Sequence, residues 1–133
     1  MPNAATDYTI VPDEAHRILR VTCVGLLDVA LARKMITEAR LEAAEWGFSL
    51  LYDLTNVTLS VNITEIFEFP KSLDVYREAR TLSIPVALLL PAERDAGFWQ
   101  FYVDAATRAG HTVKAFHADS EAIEWLAKAG DKV

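Results

Sequence analysis

The sequence predicts one α/β domain over residues 1–133: a mixed, mostly parallel sheet of about five strands with helices, in the order ββαβαβαβα. Three observations carry that prediction. Short apolar runs alternate with amphipathic helical patterns along nearly the whole chain. Two of those runs, Phe48 to Leu54 and Ile84 to Leu90, are apolar almost throughout, as strands buried on both faces require. No linker, repeat or low-complexity stretch interrupts the series.

Tyr8 to Val11 reads as a strand, followed by a turn at Pro12-Asp13-Glu14-Ala15-His16. Arg17 to Val24 reads as a second strand, hairpin-paired with the first. There Leu19, Val21 and Cys23 form an apolar face, and Ile18, Arg20, Thr22 and Val24 a mixed one. Gly25 is expected to end it. Asp28 suits the N-cap of a helix that runs to about Glu45. Ala32, Met35, Ile36, Ala39, Ala43 and Trp46 make that helix's apolar stripe, and Gly47 fits the left-handed position after it.

The strand Phe48 to Leu54 ends near Asp53. The stretch from Thr55 to Asn62, polar on alternate residues, reads as loop or strand extension. Asn62 with Glu65 resembles a capping box opening a helix, which Pro70 should kink or split. Ile84 to Leu90 follows as a buried strand, Asp95 to Ala109 as a helix closed by Gly110, and Thr112 to Phe116 as a strand. Asp119 caps a last helix that Gly130 ends.

Composition narrows the function classes. Hydrophobic residues make up 52% of the chain, enough for a core without disulfides, and the single Cys23 suits a reducing, cytoplasmic setting. The net charge is −6, with no Lys/Arg run, which disfavours direct nucleic-acid binding. The longest apolar run, Val86 to Leu90, is too short for stable membrane insertion. The polar stretch Met1 to Asp7 lacks signal-peptide character, so the sequons at Asn56 and Asn62 read as accidental.

At Leu50-Leu51-Tyr52-Asp53-Leu54-Thr55-Asn56-Val57-Thr58-Leu59 the chain resembles the STAS family of sulfate transporters and anti-sigma factor antagonists. In that family a buried strand ends in an Asp-Leu-Ser-type tripeptide, then a Val, then a loop opening a helix. Phe116-His117-Ala118-Asp119-Ser120-Glu121-Ala122-Ile123-Glu124-Trp125-Leu126 is similar to the last strand and helix of the anti-sigma factor antagonist-like (SpoIIAA-like) branch. The element order matches along nearly the whole chain. The resemblance implies a STAS-like fold and a regulatory role through protein interaction. It also locates a departure. The family's Asp-Ser pair, whose serine is phosphorylated, falls by register on Val61-Asn62. Ser60 and Thr64 are nearby hydroxyls outside the matching position.

Two candidate sites follow. A parallel sheet gathers the C-terminal ends of its strands along one edge, where ligands bind. Asp53, Thr55, Asn56, Thr58, Ser60, Asn62 and Thr64 are expected there as an interaction loop, against the plainer reading of capping and turn chemistry. The run Phe98-Trp99-Gln100-Phe101-Tyr102-Val103 gives its helix an apolar arc wider than one packing face needs. Phe98, Trp99, Phe101 and Tyr102, with Phe67 and Phe69, are therefore candidates for an aromatic interface or pocket; the plainer reading is a helix packed on two sides.

The sequence thus supports an interaction module, with a protein partner or a second copy of itself as a homodimer, or a binder of a small apolar or lipid-like ligand. No cofactor and no metal are expected: His16, His111 and His117 have no ligand spacing. An enzyme would need Asp53, His117, Cys23 or the Thr/Ser stretch to converge as base and nucleophile, because no catalytic motif is present.

Overall fold

A computed structural model describes residues 7–59, 83–91, 96–108 and 110–131. They form a five-stranded sheet in sequential order: β1 Asp7–Asp13, β2 Ile18–Leu27, β3 Ser49–Leu59, β4 Val86–Leu89 and β5 Val113–Phe116. The β1–β2 hairpin is antiparallel, and β2 through β5 are parallel to their neighbours. Among the described residues three helices accompany it: α1 Val29–Trp46, α2 Ala96–Arg108 and α3 Asp119–Asp131. The helix expected from Asn62, with its kink at Pro70, lies outside the described residues.

Alternation along the strands divides the core into two layers. Leu19, Val21 and Cys23 of β2, Leu50, Tyr52 and Leu54 of β3, and Val86 and Leu88 of β4 face one side. There they pack with Met35, Ile36, Ala39 and Ala43 of α1 and Trp99 of α2. Ile18, Leu51, Ala87 and Leu89 point the other way, onto Ala122 and Leu126 of α3. Strands sandwiched between helices must be apolar on both faces, which is why β4 reads as an unbroken run. Arg20 and Asp119 pin α3 to β2 through two contacts, 2.9 and 3.1 Å long. The carboxylate holds the Arg20 guanidinium above its usual pKa. On this second face, beyond α3, Val11, Val24 and Leu26 are exposed.

The ends of α1 follow the sequence signals closely. The Asp28 carboxylate accepts the Leu31 amide at 2.8 Å. Asp28→Ala should therefore cost about 1 kcal/mol, measured as a lower urea midpoint at constant slope. Gly47 adopts φ 74° and its amide donates to the Ala43 carbonyl at 2.8 Å, closing α1.

Several boundaries differ from expectation. Pro12 lies inside β1, paired with Leu19, rather than in the turn. β1 is an edge strand, where a missing donor does no harm. β2 continues past Gly25, which takes φ 92° within the strand, to Leu27. Asp119 begins α3 as a first-turn residue instead of capping it, and α3 runs through Gly130 to Asp131. One interior glycine costs a helix only about 1 kcal/mol, so it need not stop it. Trp46, expected on the buried stripe of α1, is exposed and stacks on Phe48 with centroids 5.0 Å apart.

Candidate functional site

The Asp53 segment is built differently from a loop. β3 extends to Leu59, so Asp53, Thr55, Asn56 and Thr58 are strand residues. Thr22 pairs with Asp53 and Val24 with Asn56, so β3 holds one residue more than β2 over this stretch. That is a β-bulge, and it shifts the side-chain alternation by one. Leu54 and Val57, three residues apart, consequently both enter the main core. Asp53 supports the irregularity: its carboxylate accepts the Thr55 amide at 3.1 Å and the Thr55 hydroxyl at 2.7 Å. Those bonds give Asp53 a structural task within its own strand. Ser60, Asn62 and Thr64 of the same expected site lie outside the described residues.

His117 follows β5, and its Nδ1 donates to the Leu90 carbonyl at 3.1 Å. Cys23 is buried in the main core as a thiol. His16 sits in the β1–β2 turn, its Nδ1 2.8 Å from the Asp13 carboxylate. The hydrogen bond from His16 holds Asp13 below the usual carboxylate range. Among the described residues, no three His, Cys, Asp or Glu side chains gather as a metal site, and no helix is long and apolar enough to cross a membrane.

The aromatic helix leads to a cavity. Phe98, Trp99 and Tyr102 line a space of about 60 Å³ between α1, α2 and the sheet. Trp99 meets Phe98 and Tyr102 edge-on, with centroids 5.2 and 6.2 Å apart and interplanar angles of 87°. Such T-shaped pairs place positive ring edges on negative faces. Leu54 and Leu88 of the sheet and Met35 and Ile36 of α1 continue the wall. Phe101 is half-buried and is not among the cavity's lining residues, while Phe67 and Phe69 lie outside the described residues.

Three polar side chains of this lining are absent from the sequence-predicted sites. Arg40, Tyr52 and His111 border the cavity, and all three are buried. Arg40 Nη2 lies 3.3 Å from His111 Nδ1. Arg40 had a legible signal. It stands four residues after Ile36 and three before Ala43, on the apolar stripe of α1, where an arginine is out of place. His111 is held where α2 gives way to β5 by its backbone amide, which donates to the Ala106 carbonyl at 3.0 Å. Only the folded chain brings it to Arg40.

No family model matches the chain, and no curated protein matches it. Solved structures do. An uncharacterised protein of the DUF3478 family with a SpoIIAA-like fold, from Shewanella loihica, aligns with a TM-score of 0.57 at 18% identity. That alignment covers 92% of this chain and 94% of the other. The phosphorylated form of SpoIIAA, a Bacillus cell-fate determinant, aligns with a TM-score of 0.52 at 13% identity. It covers 90% of this chain and 99% of that one. Identities this low speak to architecture alone. The chain has a SpoIIAA-like fold.

Proposed function

We propose that this chain is a non-catalytic regulatory module that works in the cytoplasm by contact, with a protein partner or with a second copy of itself. The observation that carries this reading is the SpoIIAA-like fold spanning 90% or more of the chain. One of the similar structures is a cell-fate determinant captured in its phosphorylated form. Asp53 braces a bulge, His117 binds a backbone carbonyl and Cys23 lies in the core, structural settings that agree with a role through surface. Val11, Val24 and Leu26, exposed on one sheet face, offer apolar area for such contact.

The test is reconstitution. Tagged chain is recovered from its own host, and the co-purifying protein is expressed separately and titrated against the purified chain. The reading expects a saturable complex of fixed stoichiometry, or a dimer by light scattering. A strict monomer that reconstitutes with nothing recovered would sink it.

A second reading, a binder of a small apolar ligand, is favoured by one observation: the cavity walled by Leu54, Leu88, Trp99 and Tyr102. The two readings are compatible, since a ligand held between helices can bias which surface a regulator presents.

A further inference from the structure

The cavity is drawn out rather than round. Its α2 wall runs from Phe98 to Ala106, and its α1 wall from Val29 through Ile36 to Arg40. At 1.5 Å per residue, Phe98 to Ala106 spans about 12 Å and Val29 to Ile36 about 10 Å. Both helices follow the C-terminal ends of parallel strands, α1 after β2 and α2 after β4, so Val29 and Phe98 stand at the same end. Exposure falls along this slot. Val29, Ala32, Phe98 and Tyr102 are half-buried, whereas Met35, Ile36 and Ala106 are buried. The slot is therefore open beside Val29 and Phe98 and closed beside Ala106.

Volume decides what fits. An apolar cavity that takes up benzene measures about 150 Å³. This one measures about 60 Å³. Spread along walls of that length, it has the width of a single file of atoms. Met35, Ile36, Leu54 and Leu88 line it with aliphatic groups, and Trp99 with an aromatic one. Burying methylenes against such walls is favourable without any hydrogen bond to the ligand.

We propose that this slot binds one unbranched hydrocarbon chain, inserted with its methyl end toward Ala106 and its head left in water beside Val29 and Phe98. The proposal rests on the ligand-binding reading above and gives that ligand a class: single-tailed and linear, neither ring-bearing nor two-tailed. Its hydrocarbon lies against Met35, Ile36, Leu54, Leu88 and Trp99. Arg40 and His111, bonded to each other at 3.3 Å, lie beyond the methyl end and make no bond to the ligand.

Titration of isotope-labelled chain with butan-1-ol, hexan-1-ol and cyclohexanol, followed by NMR, tests it. Hexan-1-ol should move the Met35, Ile36 and Ala106 resonances saturably, with affinity rising about fourfold per methylene from butan-1-ol. Cyclohexanol carries the same number of carbons in a ring. It should bind at least about fivefold more weakly than hexan-1-ol, because a ring forces the walls apart. In Ala106→Leu, which fills the closed end, the gain from butan-1-ol to hexan-1-ol should vanish. Equal or tighter binding of cyclohexanol to the unaltered chain would overturn the linear-chain assignment and leave an apolar pocket, as would an affinity that does not rise with chain length. No response to any of the three probes would overturn the assignment and the ligand-binding reading together. The comparison on the unaltered chain needs no substitution, so a variant that fails to fold leaves the test intact.

Discussion

Leu50→Ala should lower the unfolding free energy by about 2–5 kcal/mol. Leu50 is fully buried at the start of β3, between Leu19 of β2 and Val86 of β4 in the parallel register. Its amide donates to the Pro85 carbonyl at 3.0 Å, so the backbone on which the shortened side chain would sit is held in place. A site that cannot collapse keeps its cavity, which places the cost toward the upper end of that range. Domains are stable by only about 5–15 kcal/mol, so this one substitution removes a large share. Urea unfolding checks it: the midpoint should fall with little change in slope. Leu26→Ala is the control. Leu26 is 49% exposed, and its truncation should change stability by less than about 0.5 kcal/mol.

Trp99→Ala should cost about 3–5 kcal/mol. Trp99 is only 7% exposed and joins the core cluster that carries α1 and the sheet. The substitution removes the largest apolar surface that α2 contributes. It also breaks two edge-on aromatic pairs, each worth about 0.5–1.5 kcal/mol beyond burial. Because Trp99 already borders the cavity, its loss enlarges an existing space instead of opening a sealed one. Trp99→Phe keeps one ring and should recover more than half of the loss. Paired urea or thermal unfolding of the two variants measures this. Equal losses in both would show that the indole itself, rather than the area it buries, matters.

Much of the architecture is legible in the sequence because it rests on local rules. The β4 run is apolar on every residue since helices cover both faces of that strand. Asp28 and Gly47 mark the ends of α1 because an orphan amide needs an acceptor and a left-handed residue favours glycine. Thr55, Asn56 and Thr58 left loop and strand extension both open for an equally physical reason. The bulge changes the alternation, so strand residues lose the simple period by which strands are recognised.

The cavity was half legible. The wide aromatic arc on α2 is where Phe98, Trp99 and Tyr102 border the cavity. Its polar end depends on a partnership between Arg40 and His111, which are 71 positions apart in the chain. No local period encodes that contact; it follows from α1 and the α2–β5 connection meeting on one sheet face. Arg40 on the apolar stripe was the one sequence sign available, and it gains meaning only beside the cavity.

We propose that the SpoIIAA-like fold here serves regulation without the serine switch: by the resemblance, the serine position falls on Asn62. The most direct measurement is phosphopeptide mapping, with intact mass, of the chain isolated from its own host and after incubation with ATP and its cognate kinase. The expected result is the unmodified mass and no phosphate between Ser60 and Thr64. Stoichiometric phosphate on Ser60 or Thr64 would contradict it, because a hydroxyl outside the matching position would then carry the switch.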